Sequence, residues 1–165
     1  MVPAAAGYAF RPMSAADLPL VGRWLTMPHV VQWWPAGIKQ LECIKAHLGD
    51  PTIELFIVTA DERPIGYLQC YDPTAEADHP FRDQPAGTRG IDQFIGEPDM
   101  IERGHGSALT RAFVTNLFAA GTSRVVTDPD PANDRAIRAY EKAGFRAERL
   151  VDTPWGRTLL MVCQS

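Results

Sequence analysis

The segment from Arg103 to Ala108 joins two glycines to the start of a helical pattern. Its residues are Arg103, Gly104, His105, Gly106, Ser107 and Ala108. Glycine lets a ligand approach the backbone closely, and the first-turn N–H groups of a helix present the positive end of its dipole. The segment therefore predicts a phosphate cradle, although a plain structural turn is at least as common a use of Gly-x-Gly. The P-loop and the full dinucleotide pattern are excluded, because neither Gly-Lys-Ser/Thr nor a third glycine follows.

A second motif lies further along the chain, on a predicted helix. Asn133, Ala136 and Tyr140 are spaced by three and four residues, which places them on one helix face, and Gly144-Phe145 follows. Taken together and in this order, the two motifs resemble the acyl-CoA-binding half of the GNAT acetyltransferases.

That resemblance implies acetyl-CoA as the cosubstrate. By likeness to the family, the backbone amides of residues 103–108 would hold the CoA pyrophosphate, and Ile95 would line the same site. Asn133 would help to hold the pantetheine arm, and Tyr140 would lie near the thioester sulfur.

Further segments make the resemblance closer. They are His29–Trp34, Pro64–Gln69, Arg89–Gln93, Thr127–Pro129 and Arg135–Phe145. These segments are similar to the aminoglycoside 6′-N-acetyltransferases, in which the acids matching Asp78, Asp92 and Asp128 contact amino groups of the antibiotic. Trp33 and Gln69 would complete the substrate site, although the pair Trp33-Trp34 could equally belong to the core.

An amine acceptor makes specific demands on these side chains. An ammonium group becomes nucleophilic only after it loses a proton, so the site needs carboxylates that attract it and one that relays the proton. Asp92 is the candidate base, directly or through water; the alternative is an ion pair with Arg89. Tyr140 could give its phenolic proton to the departing thiolate, or it could be a half-buried helix aromatic. Asp128 could bind substrate or belong to a helix cap region before Pro129.

Other reactive side chains favour no further chemistry. Cys43, Cys70 and Cys163 are too scattered for a disulfide framework, and a free buried thiol is the expected state of Cys70, ahead of a cysteine nucleophile. The four histidines are not spaced as metal ligands, so no metal is predicted. His105 could add polarity beside a phosphate or simply face solvent.

Composition narrows the class of protein. The chain has 165 residues, 45% of them apolar, and a formal charge of −4. We expect one domain over residues 1–165, in the cytoplasm, because no apolar run is long enough to span a membrane and the N-terminus lacks a secretion signal. Mild acidity argues against nucleic-acid binding.

Charge is unevenly distributed along the chain. Residues 72–102 carry eight acids and two bases, whereas residues 103–149 carry eight bases and five acids. The first stretch could attract a cation and the second an anion, or the acids could simply solvate a long loop.

The elements that must position these residues form a mixed α/β (α+β) pattern of about seven strands and four helices. Strands are predicted at 8–13, 53–59, 65–71, 87–95, 124–127, 145–151 and 157–163, and helices at 14–25, 38–48, 104–120 and 132–143. Pro28 is expected to end the first helix, with an aromatic connector over His29–Pro35. The long loop at 72–86 is of the kind that is functional or disordered.

The sequence therefore predicts a GNAT-like enzyme that acetylates a primary amine, with the 6′-amino group of an aminoglycoside as the first choice. A siderophore precursor, a polyamine or a protein N-terminus are alternative acceptors, and a noncatalytic CoA-binding module is a third possibility. A monomer and a homodimer both remain open.

Overall fold

The structure is a computed structural model that describes residues 7–165. The strands in this part of the chain are β1 (Tyr8–Pro12), β2 (Ile53–Ala60), β3 (Arg63–Tyr71), β4 (Arg89–Ile95), β5 (Arg124–Thr127), β6 (Arg146–Thr153) and β7 (Gly156–Gln164). The helices are α1 (Leu18–Trp24), α2 (Pro28–Val31), α3 (Ile38–His47), α4 (His105–Ala119) and α5 (Asp134–Lys142). One-turn 3₁₀ helices occupy Ala15–Asp17 and Pro98–Met100.

The strands form one seven-stranded mixed sheet in the order β1-β2-β3-β4-β5-β7-β6. β1 and β2 are antiparallel, as are β5 and β7 and also β6 and β7, whereas β4 and β5 are parallel. The prediction of a mixed α/β fold with about seven strands is confirmed.

Several element boundaries differ from the prediction, two of them around turns. β2 ends at Ala60 and β3 begins at Arg63, so a two-residue turn replaces the five residues left between the predicted strands. Asp61 and Glu62 form this turn with positive φ, at 48° and 71°, which is the geometry of a tight hairpin. Pro28 does not end the helical region: it begins the one-turn helix α2, because a proline at the first helical position loses no hydrogen bond. The predicted connector over His29–Pro35 is therefore wrong in its first residues.

The chain divides into two compact units. The first comprises residues up to 69 together with 93–105, and the second comprises 70–92 together with 106–165. In the first unit, Trp24, Ile44, Ile57 and Tyr67 are completely buried in one apolar cluster. Gly96 belongs to that packing because the ring of Trp24 fills the position that a Cβ would take.

The second unit has its own apolar cluster, formed by Phe81, Val126, Leu160 and Val162. Phe81 lies in the long loop at 72–86, and its complete burial fixes the loop to the sheet. Gln84 is also buried and accepts a hydrogen bond from Arg124 Nε at 2.8 Å. The loop is therefore anchored at its C-terminal half.

Candidate active site

The predicted phosphate cradle coincides with the beginning of α4. Gly104 has a φ of +83°, a left-handed conformation that suits glycine, and it turns the chain into the helix. The helix starts at His105, so the N–H groups of its first turn point along the axis toward any ligand at this end. This geometry fits an anionic phosphate group.

Two side chains of the cradle are used to hold it in place. His105 is only 6% exposed, and its Nδ1 lies 2.7 Å from the hydroxyl of Tyr8. Burial and the nearby Arg103 lower the pKa of His105, so its ring is neutral near pH 7. The alternative in which His105 faces solvent is therefore wrong. Arg103 donates from Nη1 to the carbonyl oxygen of Asp99 at 3.1 Å.

Ile95 ends β4 in the first unit. Its carbonyl oxygen lies 2.9 Å from Nε2 of His29, a bond that ties α2 to the end of this strand. The predicted contact of Ile95 with the cofactor remains a prediction.

Asn133 caps α5 rather than lying within it. The helix begins at Asp134, and Oδ1 of Asn133 accepts a hydrogen bond from the amide of Ala136 at 3.2 Å. The cap uses the carbonyl end of the side chain, so the amide nitrogen is the end that can donate to a ligand. The predicted helix start at residue 132 is two residues early.

Tyr140 lies on α5 in the second unit. It is 5% exposed, and its ring packs edge-on against Phe145 with centroids 5.4 Å apart. It is therefore more deeply buried than the half-buried aromatic considered above, and its role as an acid remains a prediction.

The parallel register of β4 and β5 brings Asp92 and Asp128 together. Arg89 pairs with Val125 and Gly90 with Val126, so the same offset places Asp128 beside Asp92, one residue beyond the end of β5. The two carboxyl groups are hydrogen-bonded to each other. Two carboxyl oxygens can form such a bond only when a proton lies between them.

The surroundings of Asp128 favour its protonated form. Its Oδ2 accepts a hydrogen bond from Trp155 Nε1 at 3.1 Å, which by itself favours the ionised form, but burial of the carboxyl group outweighs that bond. Burial, followed by the charge of Asp92, raises the pKa of Asp128 to about 8. The pair therefore carries one proton and one negative charge near neutral pH. Asp128 is not a helix cap, because Asn133 holds that position.

Asp92 and Arg89 are three residues apart on β4, which directs their side chains to opposite faces of the strand. Arg89 donates from Nε to the sulfur of Cys70 at 3.4 Å, and its charge helps to lower the pKa of Asp72. Cys70 is completely buried and free, as expected.

Three aromatic side chains near the carboxyl pair were not predicted as site residues from the sequence: Tyr71, His79 and Trp155. The ring of Tyr71 packs over Gly90, two residues from Asp92 on β4, and burial followed by the charges of Asp92 and Asp128 raises the pKa of its hydroxyl well above the usual value. His79 links the other two rings: its centroid is 5.3 Å from that of Tyr71 and 5.9 Å from that of Trp155. The only sequence signal was Gly90, since a lone glycine within a strand often marks a close approach.

For the other residues predicted to bind substrate, the structure gives their own positions and contacts. Asp78 is exposed in the loop and acts electrostatically on the neighbouring His79. In the first unit, Trp33 is half-buried, whereas Trp34 packs against Tyr67 and Phe94 in the core. Oε1 of Gln69 accepts a hydrogen bond from the hydroxyl of Tyr67 at 2.7 Å. Their contact with substrate stays a prediction.

Residues 7–165 contain neither a candidate metal site nor a candidate membrane span. No group of three or more His, Cys, Asp or Glu side chains in this range is arranged to hold a metal ion. No helix within the same range combines the length and the apolarity needed to cross a membrane.

A mixed sheet with a phosphate cradle at a helix N-terminus is the arrangement expected of an acyl-CoA-dependent transferase. A family model described as an acetyltransferase (GNAT) domain matches residues 14–153, and the chain belongs to this family. It is similar to the aminoglycoside N(6′)-acetyltransferase type 1 of Klebsiella pneumoniae, with 34% identity over 161 residues, covering 92% of this chain and 80% of that protein.

Two more relatives bear on the acceptor. The crystal structure of the aminoglycoside acetyltransferase AAC(6′)-Ib in complex with coenzyme A and kanamycin matches with a TM-score of 0.85 and 34% identity, covering 96% of this chain and 95% of that one. The N-hydroxyputrescine acetyltransferase of Acinetobacter baumannii is 27% identical over 130 residues, covering 76% of this chain and 60% of that protein.

Proposed function

We propose that the protein transfers the acetyl group of acetyl-CoA to the 6′-amino group of an aminoglycoside. The observation that carries the proposal is the hydrogen-bonded pair of Asp92 and Asp128 in the same unit as Tyr140. A site with one net negative charge attracts an ammonium group, and a site with an ionised carboxylate can take its proton. The relatives that act on aminoglycosides support the same acceptor.

Acetyl-CoA supplies the acetyl group as a thioester, and the first turn of α4 with Gly104 is the site that fits its phosphates. Asn133 would donate from its side-chain amide to the pantetheine arm. Ile95 would line the same ligand.

The chain's own groups handle two protons. Asp92 accepts one from the acceptor's ammonium group, directly or through one water, so that the nitrogen lone pair can attack the thioester carbonyl. When the bond between carbon and sulfur breaks, the Tyr140 hydroxyl donates a proton to the sulfur, and the acylated nitrogen releases its second proton to water. The products are the N-acetylated amine and the free thiol of CoA, and solvent restores both protein groups.

Three features complete the proposal. Asp78, Trp33 and Gln69 would contact other parts of the acceptor. The chain would work as a single domain in the cytoplasm, where acetyl-CoA is available, and as a monomer or homodimer. Neither nucleic acid nor a membrane is a partner in this account.

A second acceptor class is a small diamine, which the N-hydroxyputrescine relative favours. The test is thiol release from acetyl-CoA with kanamycin, N-hydroxyputrescine, spermidine and a peptide with a free N-terminus. We expect the highest kcat/KM with kanamycin. A higher kcat/KM with the diamine would identify small diamines as the acceptor class. No turnover with any amine would favour a noncatalytic CoA-binding module.

A further inference from the structure

Tyr71 occupies a space that exists only because residue 90 is glycine. A Cβ on Gly90 would overlap the Tyr71 ring, because Cζ, Cε2 and Cε1 would all lie within 2.7 Å of it. Gly90 and Asp92 are two residues apart on β4, so their side-chain directions share one face of the strand. The ring above Gly90 therefore lies beside Asp92.

The Tyr71 ring continues into a row of aromatic side chains. Its neighbour is His79 from the loop, and His79 is followed by Trp155 from the turn between β6 and β7. Trp155 then donates its indole N–H to Asp128. We name Tyr71, His79 and Trp155 the aromatic row; it runs from the backbone of β4 to the carboxyl group of Asp128.

The aromatic row carries no charge near pH 7. Burial lowers the pKa of His79, although Glu76 and Asp78 act in the opposite direction, so its ring is neutral. The Tyr71 hydroxyl stays protonated among Cys70, Asp92, Asp128 and Tyr140. Around Asp128 the remaining polar neighbours are Trp155 and Thr158. Trp155 is 57% exposed and lies at the surface, so Tyr71 is the member of the row that covers the pair, and it does so without adding a counter-charge.

Exclusion of water is what a proton-sharing pair requires. Hydrated carboxylates ionise separately, whereas two carboxyls in a low-dielectric setting cannot both be charged. We propose that Tyr71 is a positioning residue whose ring, seated over Gly90, excludes water from Asp92 and Asp128 and thereby keeps the two carboxyls hydrogen-bonded. The inference deepens the proposed function, in which this pair receives the acceptor amine.

The test follows the Asp128 carboxyl directly, in the full chain without any acceptor. Aspartate is labelled with ¹³C at the carboxyl carbon, and the Asp128 signal is assigned by its loss in Asp128→Asn. Its titration midpoint is then measured in wild type, Tyr71→Phe and Tyr71→Ser. We expect Tyr71→Phe, which keeps the ring, to stay within about 0.5 pH unit of wild type, and Tyr71→Ser to fall by more than about 1 unit.

Two results would overturn the proposal. One is an unchanged midpoint in Tyr71→Ser, which would show that the ring does not exclude water. The other is an equal shift in both variants, which would assign the effect to the hydroxyl. Because no acceptor or turnover is involved, failure here is distinguishable from failure of the proposed acetylation, which the thiol-release assay detects.

Gly90→Ala provides a second variant in case Tyr71→Ser does not fold. The added methyl group displaces the ring and should lower the midpoint in the same direction. A Gly90→Ala protein with the wild-type midpoint would contradict the proposal.

Discussion

Replacing Asp128 by asparagine should make the protein more stable at alkaline pH. The amide oxygen of asparagine can still accept the Trp155 indole N–H, and its amide nitrogen can donate to Asp92, so both partners keep a bond. What the substitution removes is a carboxyl group whose ionisation is unfavourable in the folded protein. The variant therefore isolates the cost of that ionisation.

The sign follows from proton binding. The pKa of Asp128 is about 8 in the folded protein, whereas an ordinary aspartate has a pKa of 3.8, so between these pH values the folded state binds more protons than the unfolded state. The free energy of unfolding of wild type therefore falls as pH rises through this window. The asparagine variant lacks this slope.

The magnitude can be bounded. Between pH 5 and the folded pKa of about 8, the folded state binds about one more proton than the unfolded state over about three pH units. The free energy of unfolding of wild type therefore falls by at most about 4 kcal/mol between pH 5 and pH 9. At roughly 2–4 °C per kcal/mol for a chain of this size, the Tm of Asp128→Asn relative to wild type should rise by up to about 8–16 °C.

The assay is thermal unfolding followed by circular dichroism at pH 5 and pH 9. Asp83→Asn is the matched control, because it makes the same chemical change in the same unit at a carboxyl that is 64% exposed and paired with Arg149. The control should show almost the same difference from wild type at both pH values. A Tm difference for Asp128→Asn that changes by less than about 2 °C between the two pH values would refute the reasoning.

Three further substitutions test the roles of single residues. Asp92→Asn should lower kcat by on the order of 100-fold and leave the KM for acetyl-CoA unchanged, because it removes the proton acceptor and no proposed contact with acetyl-CoA; steady-state kinetics with wild-type turnover would remove Asp92 from the mechanism. Tyr140→Phe should slow transfer by a similar factor of about 100 with little change in Tm, and an unaltered rate would show that sulfur leaves without this acid. Asn133→Ala should raise the KM for acetyl-CoA and lower the Tm by roughly 2–4 °C, since a lost helix cap costs about 1 kcal/mol; an unchanged Tm would argue that the cap contributes little.

Local patterns were sufficient for most of the elements. The strand at Arg124–Thr127 has the predicted bounds, and α3 and α4 begin or end within one residue of expectation, because apolar periodicity and terminal glycines are local signals. The start of α5 was placed two residues early, since Asn133 can continue a helical pattern or cap it, and only the bond to Ala136 distinguishes the two.

The site was harder to predict because its parts are brought together by sheet register. The sequence proposed Asp92 and Asp128 separately, but their mutual hydrogen bond depends on the parallel pairing of β4 with β5, which no local pattern encodes. Tyr71 and Trp155 come from distant segments and carry no motif.

The uneven distribution of charge along the chain indicated the location of the site only in part. In the acidic stretch at 72–102, Glu97 is bonded to Arg23 and Arg63, and Asp99 is bonded to Arg63, so these two acids serve ion pairs. Asp92 belongs to the same stretch and forms the carboxyl pair. A count of charges cannot separate these two uses.

The most direct test of the central claim is the position of the acetyl group on the product. Kanamycin is incubated with the protein and acetyl-CoA, and the product is analysed by fragmentation mass spectrometry and NMR, with Asp92→Asn as the control. We predict a single acetyl group on the 6′ nitrogen, formed much more slowly by the control. An acetyl group on another amine, or no acetylated kanamycin while another amine is turned over, would contradict the account.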